Sequence, residues 1–274
     1  FEYFTANFGP YQFKQYRIIE FPRYRGFAQS FPNTVPYSEG LGFIARVEKE
    51  EDVDMTFYVT AHELAHQWWG HQAVGGFAQG SNMMSESLAQ YSAFMVVEKE
   101  YQAEGLRRYL KRELDGYLRG RGAERRKEPP MTLVQNEPYV WYQKGSLVMY
   151  ALKDYLGEER VNAALKKWLE QVKFRSAPYT NSYEFVQTIR EFTPPEQQQL
   201  VSDLFEQITL FDNRAVEATW RKTPDQKYAV KIKLDTRKLR ADGLGAEKEI
   251  AINDWIDIAV FKGEKKSEKP LYLA

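Results

Sequence analysis

The sequence predicts an α+β fold: a mainly helical body with a small sheet at its N-terminal side, followed by a small antiparallel β unit. Three observations predict it. The first forty residues are aromatic and proline-punctuated, with only short β-branched runs. From Asp52 the apolar residues recur at helical spacing, and near Asp212 the period switches to two. The division expected is a body over residues 1–211 and a β unit over residues 212–274.

Taken in order, "FEYFTANFGP" reads as a short helix closed by Gly9 and Pro10, and "QYRIIEF" (Gln15 to Phe21) as a strand. Pro22, Pro32 and Pro36 mark an irregular segment, after which "LGFIAR" (Leu41 to Arg46) is expected to be a second strand. "DVDMTFYVTAHELAHQWWG" opens with acidic residues and ends at Gly70, as helix termini prefer. A loop over residues 71–81 leads to a helix over "NMMSESLAQYSAFMVVEKEYQ", and further helical patterns cover 103–119, 139–156, 158–174, 182–191 and 195–209. "RGRGAERRKEPP" (Arg119 to Pro130) reads as a solvated polar loop. "AVEATWRK", "KYAVKIKLDT" and "EIAINDWIDIAVF" are expected as strands, separated by Pro-Asp and Asp-Gly turn signals.

Composition removes several function classes. Lys+Arg and Asp+Glu balance at 38 each, so no net field draws nucleic acid or an acidic membrane. The chain has no cysteine, which excludes disulfides and thiolate metal sites and leaves any metal to His and carboxylate. No apolar run approaches the roughly 18 to 20 residues of a membrane helix, so no membrane contact is expected of this chain itself. It opens at Phe1 with neither an initiator Met nor a signal peptide, and reads as part of something longer.

The three histidines all lie in "HELAHQWWGH", at 62, 66 and 71. On a helix, residues four apart share a face, so His62 and His66 can ligate one ion through their imidazoles. Glu63, about 100° round, can face the same cavity outside the ligand set and accept a proton from a metal-bound water. Two histidines leave a catalytic zinc one protein ligand short. Glu86, a carboxylate within an otherwise apolar helical stretch, is the candidate; the alternative is a capping or ion-paired glutamate. His71 lies beyond Gly70 and off that helical face, so it reads as structural or as a residue that supports the ligands from behind.

"HELAHQWWG" followed by "SESLAQYSA" resembles the zinc metallopeptidases typified by aminopeptidase N, the gluzincin aminopeptidases. In that family the third ligand is the glutamate of an Asn-Glu-Gly-Phe-Ala-like stretch, the place that Glu86 occupies here. The resemblance implies a thermolysin-like catalytic domain and one Zn²⁺ per chain, held by His62, His66 and Glu86, with Glu63 catalytic. "VWYQKGSLVMYAL" resembles the family's Tyr-x-Lys-Gly segment, which implies that Tyr142 stabilises the oxyanion; a phenol can donate a hydrogen bond there without competing for the metal. The family's Gly-Ala-Met-Glu-Asn motif is missing. Glu39, in "TVPYSEGLGFIA" and 23 residues before His62, stands where its substrate-binding glutamate would bind a free α-amine.

The function implied is zinc-dependent release of N-terminal residues from peptides. Its alternatives are a zinc endopeptidase with the same site, and a non-catalytic peptide-binding module. The wording also resembles a bacterial branch in which a peptidase domain follows the membrane-spanning permease region of an ABC-transporter-like protein. That implies a peptide as partner, and tethering of the full-length protein to a permease-like membrane region in the cell envelope.

Overall fold

The structure is a computed structural model and describes residues 1–48, 52–260 and 272–273. The chain forms two compact units, residues 1–125 with 129–206 and residues 126–128 with 207–274.

In the first unit, α1 (Glu2–Phe8) buries Phe4 and Phe8 on one face and stops at Gly9, whose φ of 113° suits glycine. The Gly9 carbonyl accepts from the Trp68 indole at 3.0 Å, which fastens α1 to the segment after the histidine helix. Strand β1 (Arg17–Phe21) pairs in parallel with β2 (Thr34–Ser38), Arg17 opposite Thr34 and Phe21 opposite Ser38. In β2 the buried residues Val35 and Tyr37 alternate with Thr34 and Pro36.

The strand expected over Leu41–Arg46 is not formed. Ser38 caps a short helix instead, its hydroxyl accepting from Gly40 N at 3.3 Å, and α2 (Glu39–Gly42) follows. The amides of Phe43 and Ile44 both bond the Glu39 carbonyl, leaving no free edge for a ladder there. Strand character sits earlier, in the stretch that Pro36 disguised.

Helix α3 (Met55–Ala65) starts at Asp54, whose carboxylate accepts from Phe57 N at 2.8 Å. Such a cap contributes about 1 kcal/mol. The helix closes at Ala65 rather than at Gly70. A π-helical turn (Met83–Ser87) then leads into α4 (Leu88–Ala123), which breaks at Gln102 (φ 59°, ψ 177°) where two helical patterns meet in the sequence. The second half runs to Ala123, so the first residues of the expected polar loop are helical.

After a 3₁₀ turn (Met131–Leu133), a second π-helical turn (Tyr139–Lys144) runs into α5 (Gly145–Leu156). Helices α6 (Glu158–Val172) and α7 (Ser182–Glu191) follow; Asn181 caps α7 by accepting from Glu184 N at 3.0 Å. The helix expected over 195–209 is a 3₁₀ turn (Pro195–Gln197), α8 (Gln198–Val201) and a third π turn (Ser202–Glu206). Trp68, Trp69, Leu88, Tyr91, Phe94, Trp168, Phe185 and Phe205 are fully buried in the core. Truncating one of its aromatic side chains costs roughly 3–5 kcal/mol.

In the second unit, β3 (Ile208–Lys222), β4 (Tyr228–Ala241) and β5 (Glu247–Ile250) form an antiparallel sheet in that order, with a bulge between Ala215 and Glu217. Strand β6 (Ala259–Val260) pairs with β7 (Tyr272–Leu273). The strand expected through "EIAINDWIDIAVF" is interrupted over residues 251–258, and its last residue, Phe261, lies outside the described residues. Continuing β5 in register would set residue 254 opposite 234. Instead both Asp254 carboxylate oxygens reach the buried Lys238 Nζ, at 2.9 Å. That ion pair draws the chain off the ladder. Among the described residues, no helix is long and apolar enough to cross a membrane.

Candidate metal centre

The last turn of α3 holds His62 and Glu63, and His66 caps its end; all three are buried. Packing against α4 fixes the helix at its start and the segment just after its end. Tyr58 donates to Gln90 Oε1 at 2.6 Å, and the Trp69 indole donates to Ser92 Oγ at 2.8 Å. Glu86 lies in the π turn ahead of α4, one residue before the buried Ser87. A π turn advances the chain by an extra residue and re-aims its side chains, a device frequent at functional sites.

These elements bring three ligand atoms together. His62 Nε2 and His66 Nε2 are 3.0 Å apart, and each lies 3.3 Å from Glu86 Oε2. Zinc ligands 2.0–2.1 Å from a tetrahedral ion are separated by about 3.3 Å, so the triangle fits one face of such a site. Glu86 Oε2 is buried and has no hydrogen-bond partner, although two imidazole nitrogens face it. A cation held by His62, His66 and Glu86 would satisfy that oxygen.

The tautomer of His66 is set by its other nitrogen. Nδ1 lies 2.9 Å from the Trp69 carbonyl, so it donates there and Nε2 keeps its lone pair for the triangle. His62 Nδ1 is buried with no protein partner. Burial alone would push the Glu86 carboxyl up, but His62 and His66 hold it well below the usual carboxylate range. Burial likewise opposes charge on His66, and Glu86 and Glu63 overcome it, raising that pKa.

Glu63 is 6% exposed. Burial raises its pKa, against the two imidazoles, while the backbone N–H of Ser30 favours its charged form. A carboxylate of raised pKa is the stronger base. Tyr142, in the second π turn, has its ring centroid 6.1 Å from that of His62. Burial, then Glu86 and Glu63, push its phenol up, which keeps it a proton donor at neutral pH. The structure thus brings His62, His66, Glu86, Glu63 and Tyr142 together.

Glu39 opens α2 and is part-buried. Its helix is tied to α3 by the Thr56 hydroxyl, which donates to the Leu41 carbonyl at 2.7 Å. Among the described residues, the Glu39 carboxylate makes no hydrogen bond or ion pair with the triangle. His71 stands apart, its Nε2 donating to the Ser30 carbonyl at 3.2 Å.

Sequence reasoning missed Ser30, Gln67, Ser87 and Gly145, which hold the site's backbone. Gln67 directly follows His66 in the histidine motif, a place that was readable, and the structure buries it wholly; Ser30 carries no such signal.

The family described as "Peptidase family M1 domain" matches residues 1–208. Human endoplasmic reticulum aminopeptidase 2 is 25% identical over 174 residues, 61% of this chain and 18% of that protein. The tricorn protease-interacting factor F2 of Thermoplasma volcanium is 21% identical over 196 residues, 68% of this chain and 25% of its own length. Among solved structures, the M1 zinc metallopeptidase of Deinococcus radiodurans superposes with a TM-score of 0.53 at 19% identity, covering 73% of this chain and 41% of that one. A variant of the same enzyme bound to a Tyr-Ser-Ala substrate gives 0.54. The chain therefore spans about a fifth to a quarter of these curated relatives.

Proposed function

The chain belongs to peptidase family M1, and from that premise we propose that it is a zinc-dependent aminopeptidase acting on peptides. The observation that carries the proposal is the triangle of His62 Nε2, His66 Nε2 and Glu86 Oε2, with edges of 3.0, 3.3 and 3.3 Å and Glu63 buried beside it. His62, His66 and Glu86 would hold the ion. When bound, zinc supplies Lewis acidity, polarising a carbonyl oxygen and making water acidic enough to ionise near neutral pH.

The chain's own residues do the rest. Glu63 takes the proton of the attacking water at its carboxylate and delivers it to the leaving amine. The Tyr142 phenol donates a hydrogen bond to the oxygen that gains charge. Glu39 binds the free α-ammonium of the substrate, which favours cleavage next to the amino terminus. The Deinococcus enzyme, of the same fold, has been solved with a tripeptide, and that supports a peptide as substrate.

Tethering of the full-length protein to a permease-like membrane region belongs to the same reading and rests on the sequence resemblance. Fractionation of cells producing the full-length protein tests it.

The enzymatic reading is tested with aminoacyl-aminocoumarins and their N-acetylated counterparts, on zinc-loaded protein and its Glu63→Gln variant. Hydrolysis confined to free-amine substrates and lost in the variant is the expected result. Cleavage of blocked peptides would replace it with endopeptidase activity. Peptide binding without turnover would replace it with a binding module.

A further inference from the structure

In an unbroken α-helix the Glu63 carbonyl would accept from the amide of residue 67. Here Gln67 N bonds the Leu64 carbonyl at 3.0 Å instead, because the helix tightens as it ends around His66. A buried carbonyl left without a donor is costly. The missing donor comes from outside the helix: the Ser30 hydroxyl bonds Glu63 O at 2.9 Å.

Ser30 is itself held. Gln67 Nε2 donates to Ser30 Oγ at 2.8 Å and to the Phe31 carbonyl at 2.9 Å, and Gln67 Oε1 accepts from Asn33 N at 2.9 Å. His71 donates to the Ser30 carbonyl. Gln67 is 0% exposed and Ser30 8%, so none of these bonds is exchanged freely with water. On its far edge the same segment pairs with β2, through Gln29 N to Pro36 O at 3.1 Å and Ser38 N to Phe27 O at 3.0 Å. Ser38 immediately precedes Glu39. One short segment therefore joins the strand that delivers Glu39 to the helical turn that carries Glu63.

We propose that Ser30, locked by Gln67 and His71, is a positioning residue for Glu63: it fixes the backbone that carries the base where the helix would otherwise fray. The role rests on the peptidase reading above. It predicts an effect on turnover, because substrate binding and the three ligand atoms are left in place.

The test compares Ser30→Ala, Ser30→Thr and Gln67→Met in the 274-residue chain. Ser30→Ala is expected to lower kcat about tenfold with KM and zinc content unchanged, and Ser30→Thr, which keeps the hydroxyl, to restore it to within about twofold. Gln67→Met is expected to lower kcat by at least as much. In the metal-free protein it should also speed hydrogen exchange at the Asn33 amide, which loses its acceptor. Unchanged kcat in Ser30→Ala, with an active wild type, would overturn the positioning role alone. So would a loss of kcat that tracks a loss of zinc. Wild-type protein without Glu63-dependent hydrolysis would overturn the peptidase reading, and the positioning role with it.

Discussion

Ser87 and Gly145 touch where the segment carrying Glu86 crosses the segment carrying Tyr142. A Cβ placed on residue 145 would lie 2.7 Å from Ser87 Cβ and closer still to its hydroxyl. That hydroxyl donates to the Trp141 carbonyl at 2.6 Å. A single close approach thus ties the residue after one candidate ligand to the residue before the candidate oxyanion donor. Both segments are π-helical, so each offers backbone that an ordinary α-helix would use internally.

Gly145→Ala is therefore expected to destabilise the protein. In an open helix the change would gain up to about 1 kcal/mol of propensity. Overlap with Ser87 outweighs it and costs roughly 1–3 kcal/mol, because neither segment can retreat from a packed interior. Urea unfolding reads the sign directly. A stabilised variant would mean that the two segments separate without cost.

Tyr142→Phe is expected to lower kcat by about 10²–10³ with little change in zinc content, as loss of one oxyanion donor does. Burial and the neighbouring carboxylates raise the phenol's pKa above its ordinary 10.0. The hydroxyl therefore stays a donor across the neutral and mildly alkaline range, and the wild-type kcat should show no alkaline fall due to Tyr142 below that pH. Equal kcat in the two proteins would remove Tyr142 from the reaction.

The metal triangle was legible because each of its parts has a local signature. The spacing of His62 and His66 sets them on one helical face, and Glu86 is a charge in an apolar run. The helical body was readable for the same reason, by its period. What escaped depends on contacts between distant residues. Pro36 hides a strand that is recognised only by its pairing with β1, and Ser30 acquires meaning only beside a carbonyl 33 positions away. Gly145 looks like any helical glycine until Ser87 is set against it. The interruption after β5 follows from the pairing of Asp254 with Lys238, which the alternation of the sequence conceals.

Removal of the metal is expected to lower Tm, and added Zn²⁺ to restore it. An ion that binds only the folded chain stabilises it by about 2.7 kcal/mol at a hundred times Kd. Glu86→Gln should abolish most of that shift, since a neutral amide replaces the buried carboxylate that closes the triangle. Thermal scans with and without chelator, on both proteins, check it. An unchanged shift in the variant would remove Glu86 from the ligand set.

The end of the first unit offers a pH prediction away from the metal. Arg190 donates to Glu206 Oε2 at 2.7 Å and to Ser202 Oγ at 2.8 Å, and Ser202 donates to the same carboxylate oxygen at 2.8 Å. Burial works against the Glu206 carboxylate, but Arg190 and Ser202 overcome it and hold the pKa below the ordinary 4.5. A group whose pKa is depressed by folding adds stability above its unfolded pKa and loses it as pH falls through the folded one. Glu206 is partly exposed, at 32% of its side chain, so solvent screening limits the contribution to about 0.2–1 kcal/mol. Glu206→Gln should therefore be less stable than wild type by that amount at pH 7. The gap should narrow as the pH drops below 4.5, because the wild-type carboxyl is then progressively neutralised as well. Urea unfolding of both proteins along a pH series measures the gap. A difference that stays constant into acid would assign the effect to the shape of the amide rather than to the charge of Glu206.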